Sequence, residues 1–433
     1  MKAIATHFLK LQQLHPLINH ELLTGKMKNN PNQPGKFDAV LGGQAPPPAE
    51  SVVLGGVEGV KDRLKSTVVK ARIAAVSEAL NYGEIGLDLM IEALKDSASQ
   101  VRRSAYRLLR EKGGNKGKQA LLDYDPWLFF TTFQDWKAVE FDPRVGITEP
   151  ESTAYVVNID QLKLLLQTPQ ATEITALKCH LIDGAYYEVS DEFYTFLDIL
   201  VDASKQLSNL KALFIGDIDE DRYRKSRRGL SDISLILESY PNLELLQVRG
   251  FCYELECSIL CHENLKTLIV ETSVINDMAI YQICSLNLPA LEYFELWLGR
   301  GYEQNINNTI DTLKPILFSE SFPKLSYLGL RSSDYADEIA SAVAESFFMA
   351  ENPIIDHLAV LDLSMGNLTD SGLQNLLDQP EINQLHTLNI SNNCVSLEMI
   401  NNLSSMSFRL ITDSQEELYD RNSGRSRYHT LHE

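Results

Sequence analysis

"LAVLDLSMGNLTDSGLQNLL" occupies residues Leu358 to Leu377. Its leucines stand at 358, 361 and 363, give way to Gly366-Asn367, and resume at 368, 373, 376 and 377. The first spacing, L-x-x-L-x-L, suits a short strand. Leucines at positions 1, 4 and 6 of the motif turn into a core, and the residues between them turn away from it. Asn367 supplies a turn whose side chain can hydrogen-bond neighbouring backbone groups. The second spacing is helical: Thr369 or Asp370 caps the helix, and Leu373, Leu376 and Leu377 face back to the strand. One strand period and one helix period make one repeat.

The same motif recurs as "LKALFI" at Leu210, "LELLQV" at Leu243, "LKTLIV" at Leu265, "LEYFEL" at Leu291, "LSYLGL" at Leu325 and "LHTLNI" at Leu385, with a weaker copy, "ITALKC", at Ile174. Successive starts lie 36, 33, 22, 26, 34, 33 and 27 residues apart. Each unit cannot bury its apolar side alone, so stacking is required. The expected fold class is α/β: a leucine-rich-repeat solenoid over residues 151–410, with parallel strands on a concave face and helices behind them. An all-α HEAT-like segment precedes it.

Other regions follow from composition. Residues 1–28 carry Ile4, Phe8, Leu11 and Leu14 at helical spacing and read as a short amphipathic helix. His7, Lys10, Gln12 and Gln13 break any secretory apolar core. Residues 29–56 are rich in Pro and Gly and read as a linker. Within 57–120, an offset of 30 aligns Leu64 with Leu94, Arg72 with Arg102, Ala75 with Ala105 and Gly83 with Gly113. Paired helices with small packing residues and glycine caps are expected there. Residues 121–150 hold Trp127, Phe129, Phe130, Phe133 and Trp136, read as a cap closing the end of the array. Residues 411–433 form a polar tail.

The chain carries a net charge of -20, unevenly distributed. The first 120 residues hold 18 Lys and Arg against 11 Asp and Glu, and the remainder holds 21 against 48. An acidic majority argues against a chain that coats nucleic acid. No apolar run approaches the roughly 20 residues of a membrane helix. Six cysteines in 433 residues make no disulfide framework, and reduced thiols in a cytoplasm are expected.

Four strings carry a family resemblance: "SDISLILESYPNLELLQVRG", "LPALEYFELWLG", "FPKLSYLGLRSSDYADEIASAVAES" and "LAVLDLSMGNLTDSGLQNLL". From about Ile174 to Met406 the chain resembles a family of bacterial leucine-rich-repeat proteins without assigned activity. That resemblance implies ribonuclease-inhibitor-like repeats and a cytoplasmic bacterial protein, and it implies no reaction. The period of 30 at the N-terminal side is similar to the short HEAT-like units of bacteria, including those of phycobilin lyases, and departs from the family's usual layout.

Candidate chemistry is sparse. "CYELECSILCH", from Cys252 to His262, holds four possible metal ligands; zinc knuckles usually pair cysteines with two to four residues between them, and Cys252 and Cys257, five apart, stand at the outer limit of that spacing. Cys257 and Cys261 would share a helix face, and buried packing is the favoured reading. "GGNKGKQALL" at Gly113 lacks the glycine and hydroxyl of a phosphate loop and reads as a solvent loop. "LGGVEGV" at Leu54 reads as a glycine-rich turn. Arg103, Arg107 and Arg110 share a helix face, either as a solvated stripe or as a surface for an acidic partner. The charged stretch from Asp217 to Asp232 reads as an exposed loop.

Function is therefore expected to be binding rather than catalysis: a scaffold or adaptor with no cofactor and no metal, and a protein as partner. Strand alternation places Tyr293, Glu295, Trp297, Tyr327 and Arg331 on adjacent strands of the concave face, with Arg249 two strands away. Tyr, Trp and Arg are enriched in binding hot spots. The competing readings are an accessory or chaperone-like subunit of an enzyme, and nucleic-acid contact through the basic helix. A membrane or small-molecule role is not expected.

Overall fold

The computed structural model describes residues 56–181, 192–217, 232–250, 257–272, 275–299, 306–318, 322–350, 353–403 and 406–415. The expected helix at 1–28, nearly all of the linker, Cys252, most of the charged stretch 217–232 and most of the polar tail lie outside these residues. The chain divides into two compact units between Leu108 and Leu109.

The first unit is helical: Gly56–Leu64, Val69–Ala79, Gly83–Ala93 and most of Ser99–Lys112. The offset of 30 has a bonding signature. Arg72 Nη1 donates to the carbonyl of Ser66 at 2.6 Å, and Arg102 Nη1 donates to the carbonyl of Asp96 at 2.8 Å. Both arginines reach six residues back to the turn before their helix, and Ser66 and Asp96 are themselves 30 apart. Ala75 and Ala105 are both fully buried, as close helix packing requires. The glycine caps differ from expectation. Gly83 has φ 55° but opens a helix, and Gly113 is right-handed, with the positive φ passed to Gly114. The two glycine-rich stretches are also helical rather than loops, over Gly56–Leu64 and Gly114–Leu121.

The second unit is built on eleven parallel strands in sequence order. They are β1 (Lys137–Glu140), β2 (Thr153–Val157), β3 (Ala176–His180), β4 (Ala212–Asp217), β5 (Leu245–Arg249) and β6 (Thr267–Glu271), followed by β7 (Tyr293–Gly299), β8 (Tyr327–Ser333), β9 (Val360–Asp362), β10 (Thr387–Asn389) and β11 (Arg409–Ile411). Helices return the chain between most of them. Motif positions 1, 4 and 6 are buried in all eight copies, from Ile174, Leu177 and Cys179 to Leu385, Leu388 and Ile390. They join Phe196, Leu200, Ile283, Leu313, Ile339 and Leu373 of the helices in one continuous core. The repeats superimpose down to the backbone: the carbonyl at motif position 2 accepts two N–H groups of the next copy at Thr175, Lys211, Glu244, Lys266, Glu292, Ser326 and Ala359.

The opening stretch folds as its two periods require. Thr369 is the cap, its hydroxyl accepting from Ser371 N–H at 3.2 Å, and the helix runs Asp370–Leu377. Leu373 and Leu376 are buried, with Leu377 packed at the margin. The turn-holding side chain is not Asn367. Asn393 of the next copy donates to the carbonyls of Leu363 at 2.8 Å and Ile390 at 3.1 Å, and its Oδ1 accepts from Leu368 N–H at 3.0 Å.

The array extends beyond the expected 151–410 at its start by one strand, β1, while β2 lies within those bounds ahead of the first leucine copy. One glycine is fixed by this stacking. Gly216 has φ 101°, and a Cβ there would lie 2.0 Å from the carbonyl oxygen of Arg249. Gly216→Ala is expected to lower the stability of this unit by at least about 1 kcal/mol, read as a shift in its urea midpoint.

Candidate functional site

The sheet face away from the helices is where the candidate residues stand. Third-position residues Tyr293 and Tyr327 are paired in register, as are Trp297 and Arg331, while Glu295 faces Gly329. Strand alternation thus brings the expected group together. Two features of the face were not expected.

The first is a cover. Of the expected cap over 121–150, β1 does close the end of the array by pairing with β2, but residues 121–136 do not. They run as a strap across the strands, from the β10–β11 end back toward β3. Leu121 O meets His386 Nε2 at 2.7 Å, and Tyr124 O accepts from Arg409 Nη1 at 3.0 Å. Trp127 packs edge-on to Tyr327 at 6.0 Å between centroids, and Phe130 packs edge-on to Tyr293 at 5.3 Å and Tyr327 at 5.8 Å. Thr131 O accepts from Thr267 Oγ1 at 2.7 Å. Phe133 lies 6.0 Å from Phe214, and Trp136 Nε1 donates to Thr175 Oγ1 at 3.1 Å. Over β2 to β5 the third-position residues are Ala154, Ala176, Ala212 and Leu245, and they form a small separate apolar cluster under Phe133 and Trp136.

Local sequence shapes the strap. Asp125 accepts from Trp127 N–H at 3.1 Å and Pro126 opens a tight turn over Pro126–Phe129. Thr132 and Asp135 form a capping box around the turn Phe133–Asp135. Two short turns thereby set the aromatic rings down on the sheet.

This corrects the expected exposure of Tyr293 and Tyr327. They are buried beneath the strap and stack on one another at 3.8 Å with a 7° interplanar angle. They face the expected side and serve as its packing floor.

The second feature is a polar ladder beside the strap. Glu295 accepts from Tyr293 Oη at 2.5 Å, Trp297 Nε1 at 2.7 Å and Arg331 Nη1 at 2.7 Å. Asp362 accepts from Tyr327 Oη at 2.7 Å, Asn389 Nδ2 at 2.9 Å and Ser364 N–H at 2.9 Å. Arg331 also donates to Ser364 Oγ at 2.9 Å and lies over the Trp297 ring at 5.3 Å. Farther along, Glu271 accepts from Gln247 Nε2 at 2.7 Å and pairs with Arg249, whose guanidinium lies 5.4 Å over the Phe214 ring. Glu295, Glu271 and Asp362 are all buried, and each is met by several donors, which offsets the desolvation that burial imposes.

Electrostatics follow from that burial. Desolvation pushes the Tyr293 and Tyr327 hydroxyls well above the ordinary phenol range, with Glu295 adding to it at Tyr293 and Asp362 at Tyr327. Desolvation also raises the Glu271 carboxyl, and Arg249 opposes it. Chemically, the carboxylates act as acceptors for fixed neighbouring donors, an arrangement that rigidifies a face.

The other candidates separate. Arg110 turns inward, donating from Nη1 to Ser326 Oγ at 2.7 Å and from Nη2 to the carbonyl of His357. Arg107 is exposed and Arg103 is half-buried. Residues 257–260 are not helical, so Cys257 and Cys261 share no helix face, and Cys261 instead bridges Asn287. Burial pushes the Cys257 thiol up to about 12. His262 is a buried bracket: Nε2 meets the carbonyl of Tyr240 at 3.0 Å and Nδ1 accepts from Leu265 N–H at 3.0 Å, which assigns the proton to Nε2. Among the described residues, no group of three His, Cys, Asp or Glu is placed to hold a metal ion, and no helix is long and apolar enough to cross a membrane.

No family profile matches the chain, and no curated protein matches it. Among solved structures, it is similar to a crystal structure of a Bacteroides fragilis protein determined by a structural-genomics consortium. The two share 22% identity at a TM-score of 0.52, over 75% of this chain and 86% of that one. At that identity the likeness speaks to the fold alone.

Proposed function

We propose that the second unit is a leucine-rich-repeat solenoid of the ribonuclease-inhibitor-like kind, that the first unit is HEAT-like, and that the whole is a non-enzymatic scaffold of a bacterial cytoplasm. Its partner is a protein, held on the strand face along the ladder beside the strap. The observation that supports this is the row Arg249–Glu271 and Trp297–Arg331, half-buried at its arginines and pre-set by Glu271, Glu295 and Ser364. Side chains already locked in place lose little freedom when a partner arrives. Tyr293 and Tyr327 support the row from below.

The reading as an accessory subunit of an enzyme rests on the HEAT-like unit alone. The nucleic-acid reading loses Arg110, which is committed to Ser326 and His357.

The test compares two surfaces of the full chain as bait in its native host. Lys178→Glu with Gln247→Lys alters the strand face at two half-buried positions. Met278→Asp alters the helix side, at a residue 64% exposed. Both variants are expected to melt within a few degrees of the parent. The strand-face variant should lose the captured protein at least tenfold, and the helix-side variant should keep it. The opposite pattern removes the strand face as the binding surface.

A further inference from the structure

Among the described residues, every return from β2 to β11 carries a helix except the one from β5 to β6. The step from Leu243 to Leu265 is 22 residues, the shortest spacing in the array, and residues 257–260 within it are not helical. This segment stands in the stack between helix Ser234–Ser239, which precedes β5, and helix Asp277–Cys284, which follows β6. It is tied to the second of these. Cys257 N–H donates to Gln282 Oε1 at 3.2 Å, His262 N–H to Asn287 O at 3.0 Å, and Asn287 N–H to Leu260 O at 2.9 Å. A helix is about 10 Å across, and a single non-helical chain fills roughly half of that width. The helix layer therefore has an open place between these two helices.

Exposed apolar side chains gather there. Ile259 on the segment is 58% exposed, and Leu235 and Met278, each the second residue of its flanking helix, are 40% and 64% exposed. Met278 is directed toward the segment, because it shares a helix face with Gln282, four residues on, which meets Cys257. Single exposed apolar residues are ordinary, whereas three around one opening mark a contact surface. The charges there have one sign. The Lys, Arg, Asp and Glu side chains of helix 234–239, residues 257–264 and helix 277–284 are Glu238, Glu263 and Asp277, all acidic. The chain beyond residue 120, with 21 basic groups against 48 acidic ones, adds a field of the same sign.

We propose that this opening takes a basic amphipathic helix of a partner protein, laid with its apolar side on Ile259 between Leu235 and Met278 and its cations toward Glu238, Glu263 and Asp277. The partner supplies the helix that this repeat lacks, and an apolar groove read by residues at helical spacing is a recurring mode of peptide recognition. The site lies on the helix side, apart from the strand face, and it stands without the strand-face reading.

The probe is a fluorescein-labelled peptide of about 14 residues, leucine and lysine set at a helical period, roughly 21 Å long as a helix. Titrated with the full chain, it should show saturable binding by fluorescence anisotropy. Ile259→Asn with Met278→Gln, both at exposed positions, should melt within a few degrees of the parent and weaken binding at least tenfold. Glu238→Gln with Glu263→Gln should weaken it at least threefold. Leu397→Asn, at a residue 74% exposed on another helix, should leave it unchanged. A peptide of the same composition in scrambled order, and one with glutamate in place of lysine, should each bind at least tenfold more weakly than the probe. With benzoylphenylalanine in place of one leucine, the probe should cross-link to peptides containing Ile259 or Met278. Binding that survives Ile259→Asn with Met278→Gln, that falls equally in Leu397→Asn, or that the scrambled or glutamate peptide reproduces would overturn the proposal. A parent chain that dimerises in sedimentation, and loses the dimer in Ile259→Asn with Met278→Gln, would overturn it in favour of a second copy as the occupant.

Discussion

Phe130→Ala should destabilise the second unit by about 3–5 kcal/mol, the range for deleting a large buried aromatic side chain. Phe130 is buried and packs on both Tyr293 and Tyr327, so its removal opens a cavity over the stacked pair. Neither tyrosine can move to fill that cavity without losing its carboxylate partner, Glu295 or Asp362. The measurement is urea unfolding followed by tryptophan fluorescence. All three tryptophans, Trp127, Trp136 and Trp297, lie in this unit, so the signal reports it alone. Phe348→Ala, at a residue 59% exposed, is the control and should stay within about 0.5 kcal/mol. Equal effects of the two substitutions would show that the strap contributes nothing to the fold.

The second large effect is expected at Arg331. Arg331→Ala leaves Glu295 and Asp362, whose side chains are 5% and 1% exposed, without their cation. Breaking a buried pair from one side typically costs about 3–5 kcal/mol, and the same urea experiment should show it. The mechanism makes a further demand. The double variant Glu295→Gln, Arg331→Met removes both charges of that pair and leaves only Asp362 without its cation, so it should recover part of that loss. Arg331→Ala indistinguishable from Arg144→Ala, a surface arginine 89% exposed, would mean the ladder is not energetically coupled. This result also bears on function. Arg331→Ala cannot by itself test partner binding, because it perturbs the face it would probe.

The repeat was legible because leucine at positions 1, 4 and 6 is a strong and redundant signal, and every one of the eight copies is a strand in the structure. Three strands were not read. β2 has Ser152, Tyr155 and Val157 at the three core positions, and β11 has Ser407, Leu410 and Thr412, so the register survives with a single leucine between the two strands. β1 is four residues with every side chain exposed. β1 and β11, at the two ends of the sheet, have one neighbour each and less to bury, which frees their composition.

The strap was read as aromatic and destined for burial, but its place was not. Its partners Tyr293 and Tyr327 stand more than 160 residues away in sequence, and no local period reports such a contact. One signal was present. Ala176 and Ala212 occupy positions that alternation turns away from the core, and small apolar residues there make room for large ones such as Phe133 and Trp136. The ladder was legible as residues but not as bonds. Tyr293, Glu295, Trp297, Tyr327 and Arg331 could be placed on one face by alternation. That they saturate one another is a matter of side-chain reach, which spacing does not give.

Residues 121–136 lie across the strand face, over β7 and β8. The most direct measurement places the photo-cross-linker p-benzoylphenylalanine at position 130 of the full chain and maps the irradiated product by peptide mass spectrometry. Intramolecular cross-links to the peptides containing Tyr293 and Tyr327 are the expected result. Cross-links confined to residues outside β6–β8, or formed only between separate chains, would contradict it.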